Sequence, residues 1–397
     1  MPQKLQDNIW KYTLILIANK RFFVAIFSIY YLTIPGVDAF GVGLIMLAGG
    51  LAGFIFEIPS GYWSDKFGHK NALVISRIFV LLSTTLFILA TNLTHLILGG
   101  VALSIGQAFL SGTGSAFMHE TLRGLKKEND YAKIMGKIGA IGFAVPIILM
   151  MAVPFLVTVS YKLPFAIALV TDFIGLLASI FLFTPPVPPE HVEEVGITNF
   201  KQVMREGYRL NFFMFALFSG LVSGILFGSS VFRAPYQQFL YIPVIYFGIL
   251  YGIGRIGASL MIAYSGKIKA AMNIFSFYKF QLILYTILFL VLGLFPITWI
   301  IASVFIIMNA FQWGLSKAED AYLIDIIRAS KFKATLLSVN AQIDSMTGAF
   351  ISFIMGIAIQ KFSFANTFLY VGLGFITIML PLYLTILHRR KKNNNLM

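Results

Sequence analysis

The sequence predicts an all-α membrane protein whose twelve transmembrane helices form two pseudo-symmetric six-helix bundles. Three observations lead there. Of the 397 residues, 58% are hydrophobic and 12% charged, against ~25% charged in a soluble domain, and the mean hydropathy is +0.84. Twelve apolar runs each approach the roughly 20 residues a helix needs to cross a ~30 Å hydrocarbon core. Short stretches of the first half recur in the second at a separation of 205 residues.

The runs cover 12–34, 40–60, 71–91, 95–118, 134–158, 163–183, 210–231, 243–265, 273–294, 297–318, 335–359 and 365–387. They are continuously apolar rather than alternating, which selects helices over barrel strands. The first run is long and lacks a small-residue cleavage site, so it reads as a membrane helix rather than a cleavable signal peptide. An even number of spans places both termini on one side. Lys4 and Lys11 open the chain, and Arg389, Arg390, Lys391 and Lys392 close it. The connections 61–70, 119–133, 184–209, 266–272 and 319–334 fall on that same side and hold most other basic residues, whereas Lys162, Arg233 and Lys361 fall on the opposite side. Basic residues accumulate in cytoplasmic loops, so both termini are expected in the cytoplasm and the chain in the plasma or inner membrane. This scatter also accounts for the net charge of +14, with no nucleic-acid partner. The chain has no Cys, which excludes disulfides, thiolate chemistry and cysteine metal sites.

The longest connection divides the chain into an N-terminal bundle at 1–183, a cytoplasmic linker at 184–209 and a C-terminal bundle at 210–397. The linker opens on Thr184-Pro185-Pro186-Val187-Pro188-Pro189, which cannot extend a helix. Phe200, Val203, Met204 and Gly207 then alternate with Lys201, Arg205 and Arg209 at helical spacing, as in a short helix lying on the inner leaflet. The internal repeat supports the division. Residues 116–123 (Ala-Phe-Met-His-Glu-Thr-Leu-Arg) line up with 321–328 (Ala-Tyr-Leu-Ile-Asp-Ile-Ile-Arg), and the same separation sets Ser60-Gly61 against Ser265-Gly266.

Between the second and third runs stands Gly61-Tyr62-Trp63-Ser64-Asp65-Lys66-Phe67-Gly68-His69-Lys70. An apolar span cannot continue through Asp65, Lys66 and Lys70, and the two glycines allow tight backbone geometry, so a charged turn is expected. This segment resembles the signature loop of the major facilitator superfamily. Gly61, Asp65, Lys66, Gly68 and Lys70 match that pattern, while His69 fills a position usually held by Arg or Lys. The resemblance implies two rocking halves related by an axis along the membrane normal and a substrate site between them. Asp65 would then act as a conformational gate, pairing at the cytoplasmic helix ends, with Lys66 and Lys70 at the lipid headgroups. The second copy, Gly266-Lys267-Ile268-Lys269, lacks the Asp. Two patterns of drug/proton antiporters are poorly kept: Ala108 stands where the fourth helix usually carries an Arg four residues before Gly112, and Gly139, Gly142 and Pro146 only loosely echo the fifth-helix Gly-Pro motif.

Charges inside the membrane cost about 2.5–3.5 kcal/mol each on insertion scales, so each is a functional candidate. Lys20 and Arg21 fall in the first run, Asp172 is central in the sixth, Arg255 in the eighth, and Asp344 lies inside the eleventh. Glu57 precedes Pro59 near the inner end of the second. A carboxylate in a closable cavity can hold a proton in one state and release it in another. Arg21, Glu57, Asp172, Arg255 and Asp344 are therefore the candidates for substrate or proton coupling, the alternative for each being a structural ion pair. Glu120 and Asp325 suit inner-face salt bridges. Gln107, Asn309, Gln312, Asn340 and Gln342 are candidates to line the path, because an unpaired amide in lipid is unfavourable.

The expected function is secondary active transport by alternating access, with proton-coupled export of a small amphipathic or drug-like compound first. Proton-coupled uptake of a polar solute such as a sugar or organic acid is the alternative. An enzyme is not expected: His69, His95, His119, His191 and His388 sit apart with no HExxH spacing, and no GxxxxGK[ST] loop is present for ATP. A fixed-pore channel is disfavoured by the two-half repeat. No cofactor or metal is expected, and twelve helices in one chain can form a cavity as a monomer.

Overall fold

The computed structural model describes residues 2–186, 200–327 and 333–392, and no strand occurs among them. Two compact units result, Met1–Glu193 with Val244–Gly248, and Glu194–Pro243 with Ile249–Met397. The first contains α1 (Pro2–Asn19), a 3₁₀ turn at Phe22–Ala25, α2 (Phe27–Leu32), α3 (Ala39–Phe67), α4 (His69–Ile88), α5 (Leu93–Leu110), α6 (Thr113–Gly124), α7 (Tyr131–Val157) and α8 (Leu163–Ile180). Then come α9 (Phe200–Arg209), α10 (Phe212–Ser230), α11 (Arg233–Phe239), α12 (Ile245–Ala263), α13 (Ser265–Ala271) and α14 (Ile274–Leu294). The chain closes with α15 (Thr298–Gly314), α16 (Ser316–Ile327), α17 (Lys333–Lys361) and α18 (Phe364–Lys392).

The internal repeat is visible in the helices themselves. The 205-residue separation carries the first residue of α4 onto that of α14, and the first of α5 onto that of α15. Two buried hydrogen bonds correspond to within one residue of the same separation: Tyr30 donates to the Phe87 carbonyl at 2.5 Å, and Tyr236 donates to the Leu292 carbonyl at 2.9 Å. Each bond ties the broken end of its unit's first long helix to a neighbour, satisfying a phenol that is otherwise enclosed.

Among the described residues, eleven helices are long and apolar enough to cross a membrane. The first expected run, 12–34, is not one of them. α1 stops at Asn19, and the chain continues through Lys20, Arg21 and a 3₁₀ turn into α2. Arg21 curls back so that its Nη2 donates to the Ala18 carbonyl at 2.5 Å. A helix C-terminus leaves carbonyls without partners, and a cation there is favourable.

The connections also differ from expectation. The segment 61–70 is not an open turn: α3 runs through Gly61, Asp65 and Lys66, and α4 begins at His69 and includes Lys70. Only Gly68 leaves the helix, with φ of 91°, a conformation that a residue with a Cβ rarely adopts. Gly61 is helical. In the same way α6 occupies the start of 119–133, α13 most of 266–272, and α16 the start of 319–334. Charged residues end the hydrocarbon span, but they do not interrupt the backbone ladder, so helices outlast the hydropathy signal. The expected linker helix is present as α9, with Val203 buried. Val187, Pro188, Pro189, His191 and Arg328 lie outside the described residues.

Large apolar side chains face outward along the spans, among them Ile58 at 82%, Ile148 at 69% and Leu260 at 59% exposure. Apolar surface on this scale fits a hydrocarbon solvent rather than water. In the second unit α10 and α17 meet along a glycine stripe. A Cβ at Gly220 would stand 2.6 Å from Ile343 Cγ2, one at Gly224 2.5 Å from Thr347 Cβ, and one at Gly228 2.6 Å from the Gly348 carbonyl. Small residues let membrane helices approach to backbone contact.

Candidate functional site

In the first unit the break after α1 delivers Arg21 to Asp172 of α8. Arg21 Nη1 and Nη2 reach the two carboxylate oxygens at 2.8 and 2.5 Å. Thr84 of α4 donates to Asp172 at 2.6 Å. Asp172 has no exposed surface, so its charge is neutralised inside the bundle by a bidentate, hydrogen-bonded cation. Arg21 and Asp172 are thus brought together as an ion pair that joins α1, α4 and α8.

A second network begins one turn away. Asn19 donates to Gln107 Oε1 at 3.2 Å and accepts from Gln107 Nε2 at 3.0 Å. Its Oδ1 also accepts from Arg77 Nη2 at 2.7 Å. Gln107 is therefore engaged within the bundle. Arg77 is wholly buried, and its Nε and Nη1 lack hydrogen-bond partners. Asn19, Arg77 and Thr84 were not singled out by sequence reasoning. Arg77 was findable, because it is a charge inside the third apolar run.

At the helix ends Asp65 and Lys66 are exposed. Lys66 Nζ lies 5.6 Å from the Tyr62 ring and 5.5 Å from the Phe67 ring. Asp65 makes no ion pair among the described residues, although it occupies the last turn of α3, where the helix dipole disfavours an acid. His69 makes the local contacts instead. Its Nδ1 lies 2.7 Å from Ser64 Oγ, and its Nε2 lies 3.4 Å from Glu120. The repeat-related acid Asp325 pairs with Lys269 at 2.7 Å. Glu57 accepts from Ser111 at 2.8 Å, across the α3–α5 contact.

In the second unit Arg255 does not stand alone. Arg233, the first residue of α11, is buried, and its guanidinium carbon lies 4.3 Å from the Tyr251 ring centroid. Arg255 donates to the Tyr251 hydroxyl at 2.6 Å and lies 4.1 Å from the Trp313 ring. Asn309 donates to the Tyr251 carbonyl at 3.0 Å. Arg233, Asn309 and Gln312 line one small pocket with Leu226, Ser230, Phe305 and Met308. Sequence reasoning took Arg233 only as a marker of topology, because nothing in a hydropathy trace shows that α10 breaks and turns this residue inward.

Asp344 of α17 is half-buried and lies within electrostatic reach of Glu319 of α16. Glu319 is 6% exposed, and the side chains of Ser219 and Gln281 reach its carboxyl. One oxygen of Glu319 and the Gln281 side-chain oxygen both lack a hydrogen-bond donor, as do Asn340 Oδ1 and Gln342 Oε1. Among the described residues no Lys, Arg or His forms an ion pair with Glu319 or Asp344. Glu319 was missed because it stood at the edge of an expected loop. No group of three potential metal ligands occurs among the described residues.

The sequence profile described as Major Facilitator Superfamily matches residues 12–318. An uncharacterized transporter of Buchnera aphidicola subsp. Schizaphis graminum is 30% identical over 125 residues, covering 31% of each chain. An uncharacterized transporter of Buchnera aphidicola subsp. Acyrthosiphon pisum is 26% identical over 195 residues, covering 48% of each chain. The matches therefore span less than half of either relative. Among solved structures, the nucleoside transporter NupG superposes with a TM-score of 0.75 at 15% identity, covering 98% of this chain and 99% of that one. A bacterial homolog of the human lysosomal transporter Spinster, inward-facing and unoccupied, superposes with a TM-score of 0.71 at 16% identity, covering 96% and 95%. Identities this low establish the fold alone. Twelve expected spans with an internal repeat, an all-helical structure and a profile match over most of the chain agree: the protein belongs to the major facilitator superfamily of membrane transporters and is not an enzyme.

Proposed function

We propose that the protein is a proton-coupled secondary transporter of a small polar molecule, in which the Glu319 carboxyl carries the proton. The observation that carries this reading is the environment of Glu319. A bare carboxylate there would be a buried charge without a cation, which is costly. A proton removes the charge and supplies a donor beside the orphan oxygen of Gln281. The groups facing it are Ser219 of α10, Gln281, Tyr278 and Tyr285 of α14, Asp320 of its own helix and Asp344 of α17. None is cationic. Asp172, by contrast, is already neutralised by Arg21 and fits a structural role.

Of the two cargo readings, a polar solute is favoured over an amphipathic drug. Arg233, Asn309, Gln312 and Ser230 set polar groups on one pocket, and the neighbouring rings of Tyr251 and Trp313 are engaged by arginines. A single buried carboxyl serves symport and antiport alike, so direction is read from the sign of proton movement.

The test uses full-length protein in liposomes loaded with a pH-sensitive dye and challenged with organic acids, sugars and lipophilic cations. At least one polar class is expected to move protons with the wild type. Glu319→Gln should abolish that movement while retaining the wild-type melting temperature. Compound-driven proton flow that survives in Glu319→Gln, or transport indifferent to an imposed pH gradient, would overturn the proposal.

Asp65 is proposed as the gate of the signature segment, supported by its exposed, locally unfavourable position at the end of α3. Asp65→Asn is expected to insert and melt like the wild type yet to lose most transport in the same liposomes. Full transport by that variant removes the gate.

A further inference from the structure

We infer that the pocket at α10, α11 and α15 takes the anionic group, a carboxylate or phosphate, of the transported molecule. This rests on the transport reading above and names the chemical class of its cargo.

Arg233 and Arg255 flank one aromatic ring, at 4.3 and 5.1 Å from the Tyr251 centroid, close enough for their charges to repel. Neither forms an ion pair with a carboxylate among the described residues. Their neutral partners are the Tyr251 hydroxyl and the rings of Tyr251 and Trp313. Cation–π contacts contribute ~0.5–2 kcal/mol and leave the charge in place. Arg255 Nε, moreover, is buried with no acceptor. Two like charges held together at one ring, Arg233 buried and Arg255 half-buried with one donor unsatisfied, form a site whose missing component is an anion.

Geometry fits the same class. Guanidinium is planar and offers paired donors matched to two oxygens of a carboxylate or phosphate. Arg233 reaches the pocket wall, where Asn309 and Gln312 add amides able to bond hydroxyl or carbonyl groups of the same molecule. Asn309 is held in place by its bond to the Tyr251 carbonyl. As it stands the pocket has room for about one water, so it admits the charged group of a ligand only as its lining side chains move apart. Arg77 of the first unit also forms no ion pair among the described residues, but it is wholly enclosed and cannot be reached by a ligand as it stands.

Trp313, stacked on Arg255, reports on this site. The variant Trp10→Phe/Trp63→Phe/Trp299→Phe leaves it as the single indole, since the chain has four Trp. That protein would be titrated with succinate, benzoate and inorganic phosphate, and in parallel with succinamide and benzamide. A saturable change in Trp313 emission is expected with at least one anion and with neither amide. Arg255→Gln and Arg233→Gln should each weaken the midpoint at least about tenfold. Arg233→Lys, which keeps the charge but loses the fork, covers the case in which Arg233→Gln does not fold, and should also weaken binding.

Three results overturn the inference: no saturable response to any anion, equal responses to amides, or wild-type midpoints in the arginine variants. A response seen only in nanodiscs containing phosphatidylglycerol, and absent in phosphatidylcholine, would assign the site to lipid and overturn the cargo assignment. The readout is binding, independent of proton flow. Glu319→Gln with anion binding intact but coupling unchanged would therefore sink the proton proposal alone.

Discussion

Arg21→Ala is expected to destabilise the protein by about 3–5 kcal/mol, the cost of leaving one member of a buried ion pair without its partner. Asp172 has no exposed surface, and its remaining partner would be the Thr84 hydroxyl. The same substitution removes the guanidinium that satisfies the Ala18 carbonyl at the end of α1. Against a total stability of about 5–15 kcal/mol, this is a loss visible in expression and in the melting curve of detergent-solubilised protein. Asp172→Asn should also destabilise, since its oxygen can keep the Arg21 Nη1 and Thr84 bonds but its NH2 then faces Arg21 Nη2 donor to donor and the cation loses its counter-charge. The double variant Arg21→Met/Asp172→Leu is expected to recover most of the loss, because apolar residues of similar volume commonly replace a buried pair without penalty. Wild-type melting of Arg21→Ala would show that water or rearrangement already compensates Asp172. Transport by the double variant decides the role: activity means the pair is structural, and a stable but inactive protein means the charges serve transport.

Gly224→Val is expected to cost about 3 kcal/mol or more, at or above the upper end of the usual penalty for overpacking. The added Cβ would stand 2.5 Å from Thr347 Cβ and 2.6 Å from the Asp344 carbonyl oxygen. One obstacle is backbone, so no rotamer change relieves it, and α10 and α17 must separate. Asp344 and Asn340, which belong to the same face of α17, would move with them. Gly374→Ala in α18 is the control. Nothing lies within 4 Å of its added Cβ, and replacing a helical glycine with alanine favours the helix by up to about 1 kcal/mol. A Gly224→Val protein that melts like Gly374→Ala would mean the two helices are not in backbone contact.

These two variants mark what was and was not legible in the chain. Arg21 and Asp172 were conspicuous as charges in apolar runs, and their role as a pair became clear only when the break after Asn19 turned Arg21 toward α8. The glycines of α10 sit at four-residue spacing, readable in principle, but their partner helix is 120 residues away in sequence. Gly61 and Asp65 matched a family pattern by identity, while the expected turn contracted to Gly68. Arg233 and Glu319 escaped because one fell at the end of a span and the other at the edge of a loop, where charge is unremarkable.

The order of the chain alone determined its solvent, its helices and its duplicated plan. Each follows from local arithmetic: apolar residues per membrane thickness, backbone groups that must pair within a segment, and a separation that recurs. Tertiary structure alone decided which charges are neutralised and which are left wanting. An ionisable group takes its meaning from what stands within a few ångströms, and here those neighbours come from other helices. Among the described residues Asp172 pairs with a cation, Glu319 with none, and Arg233 and Arg255 with no acid.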